Sequence, residues 1–137
     1  MSDEDWNRTI IEEFRANNGK VGGPFEGATL LLLTTTGART GNRRTVPLGY
    51  MPDGDRVCVF GSNSGGPKNP DWLYNVIENP EVTVELGDEE FAANATVITG
   101  EERDTLFARG VERVPQFGVY QEQTTRVIPV VALERSS

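Results

Sequence analysis

The chain has 137 residues, 36% hydrophobic and 25% charged, with 13 basic side chains against 21 acidic ones and a formal net charge of -8. That length suits one domain with a modest core, and the acidic balance excludes the dominant basic face that bulk nucleic-acid binding needs. The absence of histidine removes Ser-His-Asp and Cys-His catalysis and most zinc sites, and a single cysteine leaves no internal disulfide.

The N-terminal "MSDEDW" is acidic and lacks the basic-then-apolar order of a signal peptide, and the apolar runs "LLLL" and "VIPVVAL" are too short to span a bilayer. A cytoplasmic protein is expected. Residues 3–18 read as a helix in which Trp6, Ile10 and Phe14 recur at one helical face, with Asn18-Gly19 as the stop. "KVGGPFEGA" is a loop, and "TLLLLTTT" a strand buried on both faces. "RRTVPLGYM" and "RVCVFGS" are further strands about the turn "PDGD", with Cys58 a small core residue.

After the glycine-rich "NSGGPK", the segment "NPDWLYNVIEN" reads as a short helix with Asn69 as N-cap and Pro70 at its first position. "EVTVELGDEEFAANATVI" alternates about Gly87-Asp88 as a hairpin. "GEERDTLFARGVERV" is a helix, acidic early and basic late. Residues 115–123 are irregular or helical, and "RVIPVVALE" is the closing strand, with Pro129 marking an edge or bulge. Many short strands with hairpin-like links and few helices predict a single α+β domain, mainly β: an antiparallel, closed or nearly closed barrel with helices outside.

Charge is distributed unevenly along this pattern. No acid occurs from Gly27 to Pro52 or from Arg56 to Pro70, and those windows hold Arg39, Arg43, Arg44, Arg56 and Lys68 together with both glycine-rich loops. Either loop alone fits ordinary turn chemistry. Together they point to a site for a small organic anion, gripped by arginine forks, loop N–H groups and the start of the "NPDW" helix. "GARTG" is neither a Walker A loop nor a dinucleotide fingerprint.

The stretch "GGPFEGATLLLLTTTGARTGNRRTVPLGY", with "GSNSGGPKNPDWLYN", "ENPEVTVEL", the N-terminal helix and the tail "TTRVIPVVALE", resembles the deazaflavin-dependent nitroreductase family of actinobacteria. The resemblance implies a split β-barrel, FMN-binding-like, that binds coenzyme F420. It places Arg39, Thr40 and Arg44 at the anionic part of the cofactor, and Val46, Pro47 and Gly49 on the strand beside its ring. It places Gly61, Ser62 and Asn63 on the loop over ring and phosphate, Lys68, Asn69 and Trp72 at the helix start, and Tyr120 on the substrate side. Asn63 stands where family members often carry lysine, and Gly49 where some carry an aromatic residue.

By the same resemblance, reduced deazaflavin gives hydride to a small acceptor: an activated C=C bond, a quinone or a nitroaromatic. The oxyanion so formed needs a donor, for which Tyr120, Ser62, Tyr50 or water are candidates. A quinone acceptor would bring the protein to a membrane surface, and related barrels often form homodimers. Two alternatives remain open at this point. One is a non-catalytic carrier of deazaflavin or a hydrophobic ligand. The other is a reductase using FMN, whose shorter anionic tail needs fewer cations.

Overall fold

The computed structural model describes residues 3–17, 30–61, 69–87 and 89–136, the first five of these by backbone alone. Six strands, β1 (Leu30–Thr36), β2 (Arg43–Asp53), β3 (Arg56–Phe60), β4 (Glu81–Leu86), β5 (Glu89–Ile98) and β6 (Val130–Arg135), close into a barrel in the order β1-β2-β3-β6-β5-β4. Every pairing is antiparallel, as the hairpin-like spacing predicts. Among the described residues four helices accompany the barrel: α1 (Asp3–Ala16), α2 (Asp71–Glu78), α3 (Gly100–Arg113) and α4 (Gln116–Glu122).

The period of two along each strand sorts side chains between the lumen and the outer face. Leu31, Leu33, Val59, Val84, Val131 and Leu133 fill the lumen, and α2 packs Trp72, Leu73 and Val76 into the same cluster. β1 is buried on both faces: Leu31, Leu32 and Leu33 are all inaccessible, because Leu32 turns outward against Ile10 and Phe14 of α1. Burying a side chain of this size contributes about 1.5–3 kcal/mol.

On the outer face of β3 and β6, Cys58, Phe60, Val130 and Ala132 lie with Leu106 and Phe107 of α3. A β-carbon at Gly110 of α3 would come within 2.6 Å of the Phe60 ring. Only glycine lets the helix sit that close. Gly54 and Gly87 adopt φ of 61° and 63°, as the predicted turns require.

Several boundaries differ from the sequence reading. α1 ends at Ala16, two residues before the Asn18-Gly19 stop. Asn69 does not cap α2. Pro70 takes the N-cap position, and Asn69 Oδ1 instead accepts a 2.7 Å bond from Arg126. The closing strand begins after Pro129 and not at Arg126. Residues 126–128 are held off the sheet by side chains, with Arg103 donating to the Ile128 carbonyl at 2.7 Å and Gln121 to that of Arg126 at 2.7 Å. The loops at 19–29 and 62–68, and the side chain of Trp6, lie outside the described residues.

Candidate active site

The turn "GARTG" links β1 to β2. It is closed by the Gly37 N–H donating to the Asn42 carbonyl at 2.7 Å and the Gly41 N–H donating to the Gly37 carbonyl at 3.0 Å. Gly41 has φ of 73°, a conformation that favours glycine. A β-carbon at Gly37 would meet Thr40 Oγ1 at 2.7 Å, and that oxygen accepts from the Asn42 N–H at 3.1 Å. The turn is therefore tight and largely self-satisfied. It leaves Ala38, Arg39 and Thr40 exposed.

Facing it is the exposed side of α2. An open depression of about 640 Å³ runs between them, lined by residues 37–40, Arg44, Asp71, Tyr74, Asn75, Ile77 and Glu78. Arg44 pairs with Thr35 across the β1–β2 ladder, in the lumen row with Val46 and Leu33. Its neighbour Arg43 turns to the other face and donates to Thr83 Oγ1 at 2.8 Å. Arg39 and Arg44 form no ion pair or side-chain hydrogen bond among the described residues. Arg15, Arg56, Arg103, Arg109 and Arg135, by contrast, are all paired with carboxylates.

A second depression, of about 700 Å³, is lined by Asp53, Asp55, Arg56, Glu134 and Arg135. Both of its arginines are engaged, Arg56 by Asp53, Glu102 and Glu134 and Arg135 by Glu89. Asp53 accepts from Arg56 at 2.8 Å and from Arg109 at 3.0 Å, and these bonds hold its carboxyl below the usual carboxylate range. Free guanidinium groups distinguish the first depression from this one.

Of the sequence-predicted residues, Arg39, Thr40 and Arg44 meet in the first depression. Trp72 does not line it: its indole is 6% exposed, packed among the lumen side chains. Val46 also packs on the lumen cluster, whereas Pro47 and Gly49 pair with Leu32 and Leu30 on the face toward α1. Gly61 and Asn69 are joined to each other through Arg126, which donates to the Gly61 carbonyl at 3.0 Å and to Asn69 Oδ1 at 2.7 Å. Tyr120 lies half-buried on α4 against Phe117, with ring centroids 6.5 Å apart. Ser62, Asn63 and Lys68 lie outside the described residues.

Three residues of this region escaped the sequence reading. Asp71 and Glu78 of α2 put two carboxylates on the wall opposite the arginines, although the loops themselves are acid-free. Helical spacing of seven residues places both on one face, a signal present in the sequence. Arg126 is the third. Burial holds its guanidinium below the ordinary arginine value, with the Tyr74 phenol pulling the other way. Its bonds to Gly61 and Asn69 tie the tail to the residues flanking the 62–68 segment, and nothing in "TTRVIPV" marks that role.

This geometry can be set beside known proteins. The family model described as F420H(2)-dependent quinone reductase matches residues 6–135. The chain belongs to that family. An F420H(2)-dependent quinone reductase of Mycobacterium tuberculosis is 36% identical over 128 residues, covering 89% of this chain and 85% of the relative. The solved structure of an F420-H2 dependent reductase is 38% identical, with a TM-score of 0.72 over 77% of this chain and 94% of its own. A second, described as a domain-swapped dimer, is 36% identical, with a TM-score of 0.74 over 97% of this chain and all of its own.

Membership makes the chain an enzyme of the F420-dependent class with the split-barrel fold that the motifs led us to expect. It also removes the carrier reading and favours F420 over FMN. Among the described residues no helix is long and apolar enough to cross a membrane.

Proposed function

We propose that this protein oxidises reduced coenzyme F420 and reduces quinones, with activated C=C bonds and nitroaromatics as further acceptors. The observation that carries the reading is the convergence of Arg39 and Arg44, both without partners among the described residues, on one open depression. The cofactor class it belongs to is polyanionic, and two unengaged guanidinium forks fit such a group. When bound, the deazaflavin supplies a hydride.

The chain's own residues then have three tasks. Arg39, Thr40 and Arg44 grip the anionic part and fix its direction, while Tyr74 and Ile77 supply an apolar wall. Gly61 and Asn69, bridged by Arg126, offer a second approach to the cofactor, in which the family resemblance also assigns roles to Ser62, Asn63 and Lys68. On the acceptor side Tyr120 and Ser62 offer hydroxyl donors to the oxygen that gains charge when hydride reaches a quinone. Tyr120 stands next to Gln121, which holds the Arg126 carbonyl at 2.7 Å, so α4 and the Gly61 segment are linked. No protein nucleophile is needed, in keeping with a chain that lacks histidine.

A homodimer is proposed from the domain-swapped relative. We also propose a cytoplasmic location with contact at the membrane surface where the quinone is lipid-borne. The test is parallel titration with F420 and FMN at low and high salt, followed by turnover of reduced F420 against a quinone, an enone and a nitroaromatic. F420 should bind more tightly, lose affinity as salt rises, and support quinone turnover. Equal affinity for FMN, or binding without turnover, would overturn the proposal.

A further inference from the structure

Thr35 and Asn75 are the two buried polar side chains among the described residues, and they are bonded to each other. The Asn75 amide nitrogen donates to Thr35 Oγ1 at 3.0 Å, and its Oδ1 accepts from the Ala38 N–H at 3.0 Å. One turn on, at the C-cap of α2, Asn79 donates to the Thr36 carbonyl at 3.3 Å. Asn75 thus joins three things: α2, the Thr35–Arg44 rung of the β1–β2 ladder, and the turn that bears Arg39.

We propose that Asn75 is the positioning residue of the cofactor site, holding Arg39 and Arg44 in register by clamping the 37–42 turn to α2. This rests on the assignment of those arginines to F420.

The chemistry is specific to a short amide. Asn supplies a donor to Thr35 and an acceptor to Ala38 while remaining neutral, whereas an ionised Asp would have to accept from both and would bury a charge between α2 and the sheet. Ser is too short to reach both partners, and an apolar residue leaves the Ala38 N–H without its partner. Packing alone does not explain the choice. Asn75 sits beside Trp72, Leu73 and Val76, where a leucine of similar volume would bury apolar surface with no polar group to satisfy. The turn closes its own bonds through Gly37, Gly41 and Asn42, so it would survive loss of the clamp as a unit but shift relative to Arg44. Binding would then pay for ordering that the amide now supplies in advance.

The experiment uses the full chain and has two readouts. Amide exchange at Ala38 in the cofactor-free protein should accelerate in Asn75→Leu while exchange in β3 and β6 stays slow. Cofactor affinity, measured by F420 fluorescence, should fall roughly tenfold, with kcat at saturating F420 nearly unchanged. In an Arg39→Ala background the same substitution should cost little, because Asn75 acts through the turn that carries Arg39. An equal loss in both backgrounds would mean a general structural role and would overturn the inference, as would wild-type affinity in Asn75→Leu with Ala38 exchange accelerated. Asn75→Ser provides the same comparison if the leucine variant does not fold. Failure of the wild type to bind F420 would overturn the functional reading, and unchanged Ala38 exchange in the variant would overturn the clamp independently.

Discussion

Arg43 and Arg44 are consecutive in sequence and point to opposite faces of β2: Arg43 is tied to Thr83 Oγ1 at 2.8 Å, and Arg44 opens into the depression beneath α2. The two residues are chemically identical, so they form an internal control. Arg44→Ala should weaken F420 binding by roughly 1.5–3 kcal/mol, the cost of one charge-assisted contact, and Arg43→Ala by much less. Titration of both variants decides the matter. A larger loss in Arg43→Ala would place the cofactor on the other face of the strand.

Asp71 and Glu78 oppose the arginines on the depression's wall. Replacing Glu78 by Gln, or Asp71 by Asn, should therefore tighten binding of the anionic cofactor. The gain should be about 0.2–1 kcal/mol for each, since both side chains are solvated, and it should shrink at high salt. Affinities at two ionic strengths check this. Weaker binding in either variant would show that the carboxylate instead contacts the ligand or orders an arginine.

Cys58 is wholly buried, and burial pushes its thiol up from 9.0 to about 11. A raised folded value means that the fold holds the proton more tightly than the unfolded chain does. The resulting stability is complete below about pH 9 and is lost as pH rises through about 11. Cys58→Ala removes this contribution. The stability difference between wild type and variant should thus narrow or reverse by about 2–3 kcal/mol across that window, as denaturation at a series of alkaline pH values would show. The native thiol should also resist alkylation at neutral pH.

Gly110 is where α3 rests on Phe60, with the ring 2.6 Å from where a β-carbon would stand. Helix propensity alone favours Gly110→Ala by about 1 kcal/mol. The packing clash opposes it, because Phe60 is also held by Phe107 and Phe117 at centroid distances of 6.0 and 4.8 Å and has little room to move. The net effect should be destabilisation of about 1–3 kcal/mol, read as a lower denaturation midpoint. A stabilised variant would mean that the ring relaxes freely.

The sequence by itself determined the antiparallel barrel, because alternation with a period of two and glycine turns at Gly54 and Gly87 are local properties of the chain. It also determined the family, through motifs that extend over nearly the whole length, and the placing of Arg43 and Arg44 on opposite faces, which follows from strand geometry. Only the tertiary structure decided what stands opposite those arginines. Asp71 and Glu78 are distant in sequence from the "GARTG" turn and reach it because α2 folds back against β1. The same holds for Asn75, whose amide meets Thr35 and Ala38 across about 40 residues of chain. Trp72 illustrates the converse. The family resemblance implies a ligand contact there, and a large indole beside the filled lumen gains more from burial than from exposure at a solvated rim, so the fold packs it inside. Local pattern reports backbone direction and turn chemistry. Which side chains share a site depends on how the barrel closes, and that is a property of non-local pairing.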